Sequence, residues 1–185
     1  MQIKGTAVKS IKDFVEKQYP NGYKNWIQSL SEESKKIFVS LIDVSQWYPI
    51  QYAAIEHTIT IGKLFYDGNV NKAAYEMGRF GAQIALTGVY KVFVMIASPA
   101  YIIERASRIM TSYYQPSSIV VKEKQAKLCI VHIDKLPDKN PIIEMRIAGW
   151  ISKAFEVTGC RDVKVETPKS LSKGDAYTEI VIKWQ

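Results

Sequence analysis

Apolar side chains recur at three- and four-residue steps through residues 1–115 and at alternating positions afterwards, so the chain reads as a helical half followed by a smaller strand-rich half. Val8, Ile11, Phe14 and Val15 share one face of a helix expected from Ile3 to Tyr19, which Pro20-Asn21-Gly22 breaks. Tyr23 to Leu30 gives a short second helix with Trp26, Ile27 and Leu30 inward. Ser31-Glu32-Glu33-Ser34 is a helix N-cap with acidic residues in its first turn, opening a third helix to about Leu41. Trp47-Tyr48-Pro49 marks the next start, its proline suited to the first turn of a helix that runs to about Tyr66 and ends at Asp67-Gly68-Asn69.

From Val70 to Ile96 apolar and small residues repeat with helical spacing, which predicts one long amphipathic helix or two joined at a kink. Gly78, Gly81 and Gly88 lie on or beside that face. A helical glycine costs roughly 1 kcal/mol relative to alanine, so three of them point to close helix approach, a bend near Gly88, or room for a ligand. Pro99 opens a helix with Ile102, Ile103, Ala106, Ile109, Met110 and Tyr113 on one stripe, which Gln115-Pro116-Ser117-Ser118 stops. Strands are expected at about 118–123 and 126–133, joined by a tight turn around Lys124-Gln125. A helix from Ile142 to Thr158 turns Ile143, Ile147, Trp150, Ile151, Ala154 and Phe155 inward and ends at Gly159. Strands at about 162–167 and 177–184 follow, the last with Thr178, Ile180, Ile182 and Trp184 on its apolar face. The fold class is α+β: an N-terminal helical half packed on a small antiparallel sheet of β-β-α-β-β order. With neither repeat nor low-complexity linker, residues 1–185 read as a single domain, mostly helical over 1–115 and β-β-α-β-β over 116–185.

The composition, 47% hydrophobic over 185 residues, suffices for a buried core without a disulfide or metal. Cys129 and Cys160 form no Cys-x-x-Cys pair, so a reduced, cytoplasmic protein is expected. The start, Met1 to Gly5, lacks a signal-peptide core, and the most apolar run, Ile84 to Tyr101, is interrupted by Lys91, so no membrane span is expected. The charge of +7 comes from 25 basic and 18 acidic residues interleaved along the chain, densest at Lys122, Lys124 and Lys127, which reads as a solvated turn rather than a nucleic-acid surface.

No catalytic constellation is visible, and an enzyme is not expected. The two histidines, His57 and His132, lie in a helix and a strand with no nominated partner. Gly78-Arg79-Phe80-Gly81 sits inside a helix and follows no strand, so it is not a phosphate loop. The distinctive feature is a mixture of aromatic and small residues on inward stripes, able to line an apolar pocket or simply to fill a core. Candidate ligand-binding residues are Trp47, Tyr48, Phe80, Gly81, Ala85, Gly88, Tyr90, Tyr101, Arg105, Tyr113 and Trp150. Arg79, Arg105 and Arg108 are the cations placed to meet an acidic head group.

Ile3-Lys4-Gly5-Thr6-Ala7, Trp47-Tyr48-Pro49, Leu86-Thr87-Gly88-Val89-Tyr90, Ser98-Pro99, Tyr113-Tyr114 and the ending Gly174-Asp175 to Ile182-Lys183-Trp184 occur in an order that resembles a bacterial family of unknown function best represented in myxobacteria. That family is similar to the superfamily of haem-nitric-oxide-binding domains, 4-vinyl-reductase ligand-sensing domains and Golgi transport-particle subunits. The resemblance spans nearly the whole chain and implies a helical half against an antiparallel sheet. It also exposes departures. The superfamily's haem binders carry a proximal histidine where Tyr101 to Tyr113 has none, and their Tyr-x-Ser-x-Arg clamp is unmatched in Val131-His132-Ile133-Asp134-Lys135, so haem is disfavoured. The metal-binding cysteines of the 4-vinyl-reductase type fall on Ser170 and Thr178, so zinc is disfavoured too, and no cofactor is expected.

The leading reading is a non-enzymatic sensory domain holding an apolar or acyl-like small molecule between helices and sheet and signalling through a homodimer. With no output domain in the sequence, its effector is expected to be a separate protein. The alternative is a ligand-free dimeric interaction module whose own side chains fill the core, and a haem gas sensor is a third.

Overall fold

The computed structural model describes residues 1–87 and 99–185. The α+β class and the β-β-α-β-β tail are as the pattern predicts. The first difference lies at the start: strand β1 (Gln2–Lys4) precedes helix α1 (Gly5–Gln18) and is the middle strand of a small antiparallel sheet. Its flanks are β2 (Trp47–Pro49) and β3 (Tyr114–Gln115), with Ile3 opposite both Tyr48 and Tyr114. Trp47-Tyr48-Pro49 is therefore a strand, and the helix follows it. A strand of three residues is too short to show its period in the sequence. The loop before β2 rests on the first turn of α1 at Gly5, where an added Cβ would lie 2.0 Å from the Asp43 carbonyl oxygen.

Helices α2 (Tyr23–Gln28) and α3 (Glu32–Val39) close over a π turn (Gln51–Ile55) that runs into α4 (Glu56–Phe65). Trp26, Phe38 and His57, all fully buried, form their centre, with ring centroids 5.3 Å (Trp26 to Phe38) and 3.8 Å (Phe38 to His57) apart. Ser31 caps α3, and its N–H and hydroxyl, with the Ser34 hydroxyl, donate to the Glu56 carboxylate at 2.6 to 2.8 Å.

Helix α5 (Val70–Thr87) crosses α8 (Pro141–Val157) at reciprocal glycines. A Cβ on Gly78 would lie 2.1 Å from the Arg146 carbonyl oxygen, and one on Gly149 would lie 2.0 Å from that of Tyr75. Between them come α6 (Pro99–Glu104) and α7 (Ala106–Tyr113), where a single helix was expected. The backbone leaves helical values at Arg105 (φ −104°, ψ 2°), with no glycine or proline there to announce it. Arg105 lies on the Tyr101 ring, 3.6 Å from its centroid.

The larger sheet contains β4 (Ser118–Gln125), β5 (Leu128–Lys135), β6 (Lys164–Lys169) and β7 (Thr178–Lys183), antiparallel in the order β4-β5-β7-β6. Cys129 faces Ile182, Val131 faces Ile180 and Ile133 faces Thr178, all buried. Helix α8 starts at the Asn140 cap and lies along this sheet, Phe155 meeting Trp184 at 5.0 Å. Near its start the buried Glu144 accepts hydrogen bonds from the hydroxyls of Ser170 (2.6 Å), Ser172 (2.8 Å) and Thr178. Ser170 and Thr178 thus tie the ends of two strands to α8. Among the described residues no helix is long and apolar enough to cross a membrane.

Candidate functional site

Helices α1, α5, α6, α7 and α8 and the first two strands of the larger sheet enclose a cavity of about 410 Å³. That volume falls within the roughly 300–1,000 Å³ of small-molecule sites. Met77, Ile102, Ile109, Met110, Ile147 and Ile151 give it an apolar wall. Their presence follows from the helical stripes: α5, α7 and α8 each turn one apolar face to the space between them.

Four of the candidate residues come together here: Gly81, Ala85, Tyr113 and Trp150. Gly81 leaves room, since its missing Cβ would meet only the Ser10 hydroxyl at 3.5 Å and a Trp150 carbon at 3.9 Å. Tyr113 and Trp150 face each other at 6.0 Å. The other candidates sit elsewhere. Lys4 lies over Trp47 at 4.8 Å, and the Tyr48 hydroxyl accepts the Asp43 N–H at 2.9 Å. Phe80 packs on Phe14 at 5.3 Å, and Tyr101 carries Arg105. Gly88 and Tyr90 lie outside the described residues.

The cations proposed for a head group are also displaced. Arg79 makes a two-pronged pair with Glu156 (2.7 and 3.0 Å), which holds its guanidinium pKa up, and Arg108 is exposed. A buried cation on the described cavity wall is Arg146, 4% exposed, with Nε and Nη1 buried and lacking a hydrogen-bond partner. The indole N–H of Trp150, one turn further along α8, is likewise buried and unpartnered. The signal for Arg146 was present in the sequence: it lies three residues after Ile143 and four before Trp150, on the inward stripe. At the rim Lys9 and Asp13 pair with each other at 2.6 Å.

Behind the wall, burial pushes the His57 imidazole down to about 3, outweighing the Tyr52 carbonyl bond and the Glu56 charge that raise it. The Arg146 charge lowers it further. The ring is neutral, and because a carbonyl only accepts, Nε2 carries the hydrogen and donates to Tyr52 O. His132 pairs with Glu179 at 2.7 Å, outside the cavity wall.

No family model matches the sequence, and no curated protein matches it. Solved structures do. An H-NOX protein from K. algicida, Fe(II) and unliganded, superimposes with TM-score 0.70 at 14% identity, over 99% of this chain and 97% of that one. An H-NOX protein from S. oneidensis in the Fe(II)NO state gives 0.74 at 11% identity, over 99% of both chains. The fold is that of H-NOX domains. A structure solved to probe haem distortion in the H-NOX family gives 0.72 at 13%, over 99% of this chain and 95% of that one.

This overturns one expectation. Haem was set aside because Tyr101 to Tyr113 lacks a histidine, yet the chain has, end to end, the fold of proteins solved with Fe(II) in a haem-binding family. The exclusion of a cofactor does not stand. Among the described residues the wall fits the apolar faces of such a group and, at Arg146, its carboxylates. It contains no imidazole, but it does contain the phenols of Tyr113 and Tyr114 and the thioethers of Met77 and Met110, groups of the kinds that ligate haem iron.

Proposed function

We propose that the chain is a binding domain that takes a small apolar molecule into the cavity between α5, α7, α8 and the larger sheet, and that it acts without catalysis. The observation that carries this is the cavity itself: about 410 Å³ walled by aliphatic and thioether side chains, with space at Gly81 where neighbouring Gly78 has none. A core filled by its own side chains, as an interaction module would have, leaves no such volume.

Occupancy has a route to the surface through Val44, which lines the cavity and is 43% exposed beside the exposed Val39 and Leu41. That apolar strip is the surface we assign to a second copy or a separate effector. The H-NOX fold favours a second reading on the same site. A haem there would supply a gas-ligating iron, with Arg146 the residue that would hold its carboxylates and Tyr113 or Met110 the side chains able in chemistry to bind its metal.

Calorimetric titration with straight-chain alcohols tests the proposal. Affinity should rise about fourfold per added methylene, the value of about 0.8 kcal/mol, until the cavity is full. Gly81→Leu, which projects into the cavity, should weaken binding by tenfold or more without loss of stability. Absence of saturable binding at any chain length, with no haem uptake, would refute the proposal.

A further inference from the structure

We infer that the molecule held in the cavity is an apolar acid whose carboxylate pairs with Arg146 and Trp150 of helix α8. This rests on the reading of the cavity as a binding site and names the chemistry of its occupant.

Two residues of the described wall carry buried polar atoms with no hydrogen-bond partner, and all of these atoms are donors: Nε and Nη1 of Arg146 and Nε1 of Trp150. Residues four apart on a helix share a face, so Arg146 and Trp150 lie on the same side of α8, and both line the cavity. A guanidinium stays charged at every pH the protein meets, and a buried charge without a counter-charge is strongly unfavourable. Among the described residues Arg146 has no acidic partner. Lys9 and Asp13, the other charged side chains on the described wall, neutralise each other at the rim. His57, whose electrostatic influence reaches Arg146, is neutral and cannot compensate.

Arg79 is the contrast: its two-pronged salt bridge to Glu156 shows what a satisfied arginine looks like in this fold. A planar carboxylate fits the Arg146 fork in the same way, and the indole N–H supplies a further donor. Elsewhere on the wall Ile102, Ile109, Met110, Ile147 and Ile151 give an aliphatic body apolar contact. Chemistry of this kind has two sources, a fatty acid and a carboxylate-bearing macrocycle.

Decanoic acid and 1-decanol, matched in chain length, separate the charge from the cavity. The intact protein should bind the acid roughly 10- to 150-fold more tightly than the alcohol, the worth of a hydrogen bond to a charged group. Arg146→Met should abolish that preference while leaving alcohol binding in place, and Arg146→Lys should keep part of it. Haemin is the parallel arm: an absorbance shift on mixing that weakens in Arg146→Met would assign the macrocycle as the source. The unliganded Arg146→Met protein should melt no lower than the parent, because it loses an uncompensated charge rather than a salt bridge. Equal affinity for acid and alcohol, or a preference for acid that survives Arg146→Met, would overturn the inference and leave the cavity reading intact. Failure of both to bind, with no haemin uptake, would remove both together.

Discussion

The two glycines of α5, three residues apart, should answer the same substitution in opposite ways. In Gly78→Ala the new Cβ would lie 2.1 Å from the Arg146 carbonyl oxygen and 2.9 Å from the Trp150 backbone nitrogen. Both are main-chain atoms of α8, so relief requires the two helices to part by more than an ångström where they cross. Overpacking of that kind costs about 3 kcal/mol, and the helix-propensity gain of about 1 kcal/mol recovers only part of it. The net loss is about 2 kcal/mol, which for a domain of this length lowers Tm by about 4–8 °C. In Gly81→Ala the Cβ would meet the Ser10 hydroxyl at 3.5 Å and a Trp150 carbon at 3.9 Å, ordinary contacts. Only the propensity term remains, and stability should hold or rise by up to about 1 kcal/mol. Urea denaturation followed by circular dichroism, with thermal melts alongside, measures both. A Gly78→Ala protein as stable as the parent, or a Gly81→Ala protein that loses about 2 kcal/mol, would show that the helix contact and the cavity wall have been misread.

His57 sets a pH dependence. Its folded pKa is depressed from 6.5 to about 3, so below 6.5 the unfolded chain binds a proton that the folded one refuses. Its contribution is complete above 6.5 and is lost as pH falls toward 3, by up to about 1.4 kcal/mol per pH unit. Imidazole NMR should show a neutral ring at pH 5, and titration near 6.5 would refute the assignment. Both thiols should be inert in the folded protein: burial pushes Cys129 up to about 11 and also raises Cys160. A disulfide exchange reagent at pH 8 should label neither before denaturation and both after it, and rapid labelling of the native protein would contradict their burial.

Long amphipathic elements were legible and short ones were not. The stripes of α5 and α8, the hairpin β4-β5 and the alternation from Thr178 to Ile182 all appear in the sequence, because each repeats its period several times. β1 and β2 were not legible: three residues show no period, and what makes them strands is mutual pairing across more than forty residues. The break at Arg105 left no compositional trace. Of the site, Gly81, Ala85, Tyr113 and Trp150 could be named from helical spacing, whereas Phe80 differs from Gly81 by one position and points to Phe14 instead. Arg146 was hidden by its charge. An arginine on an apolar stripe is ordinarily assigned to solvent, and so is a glutamate such as Glu144, which is equally buried.

Native and denaturing mass spectrometry on protein purified without added ligand tests the central claim most directly. The account predicts a reproducible extra mass on the folded chain that leaves on denaturation, belongs to an acid with an apolar body, and is depleted in Arg146→Met and Gly81→Leu. Folded chain at its bare mass, unchanged after incubation with decanoic acid or haemin, would contradict it.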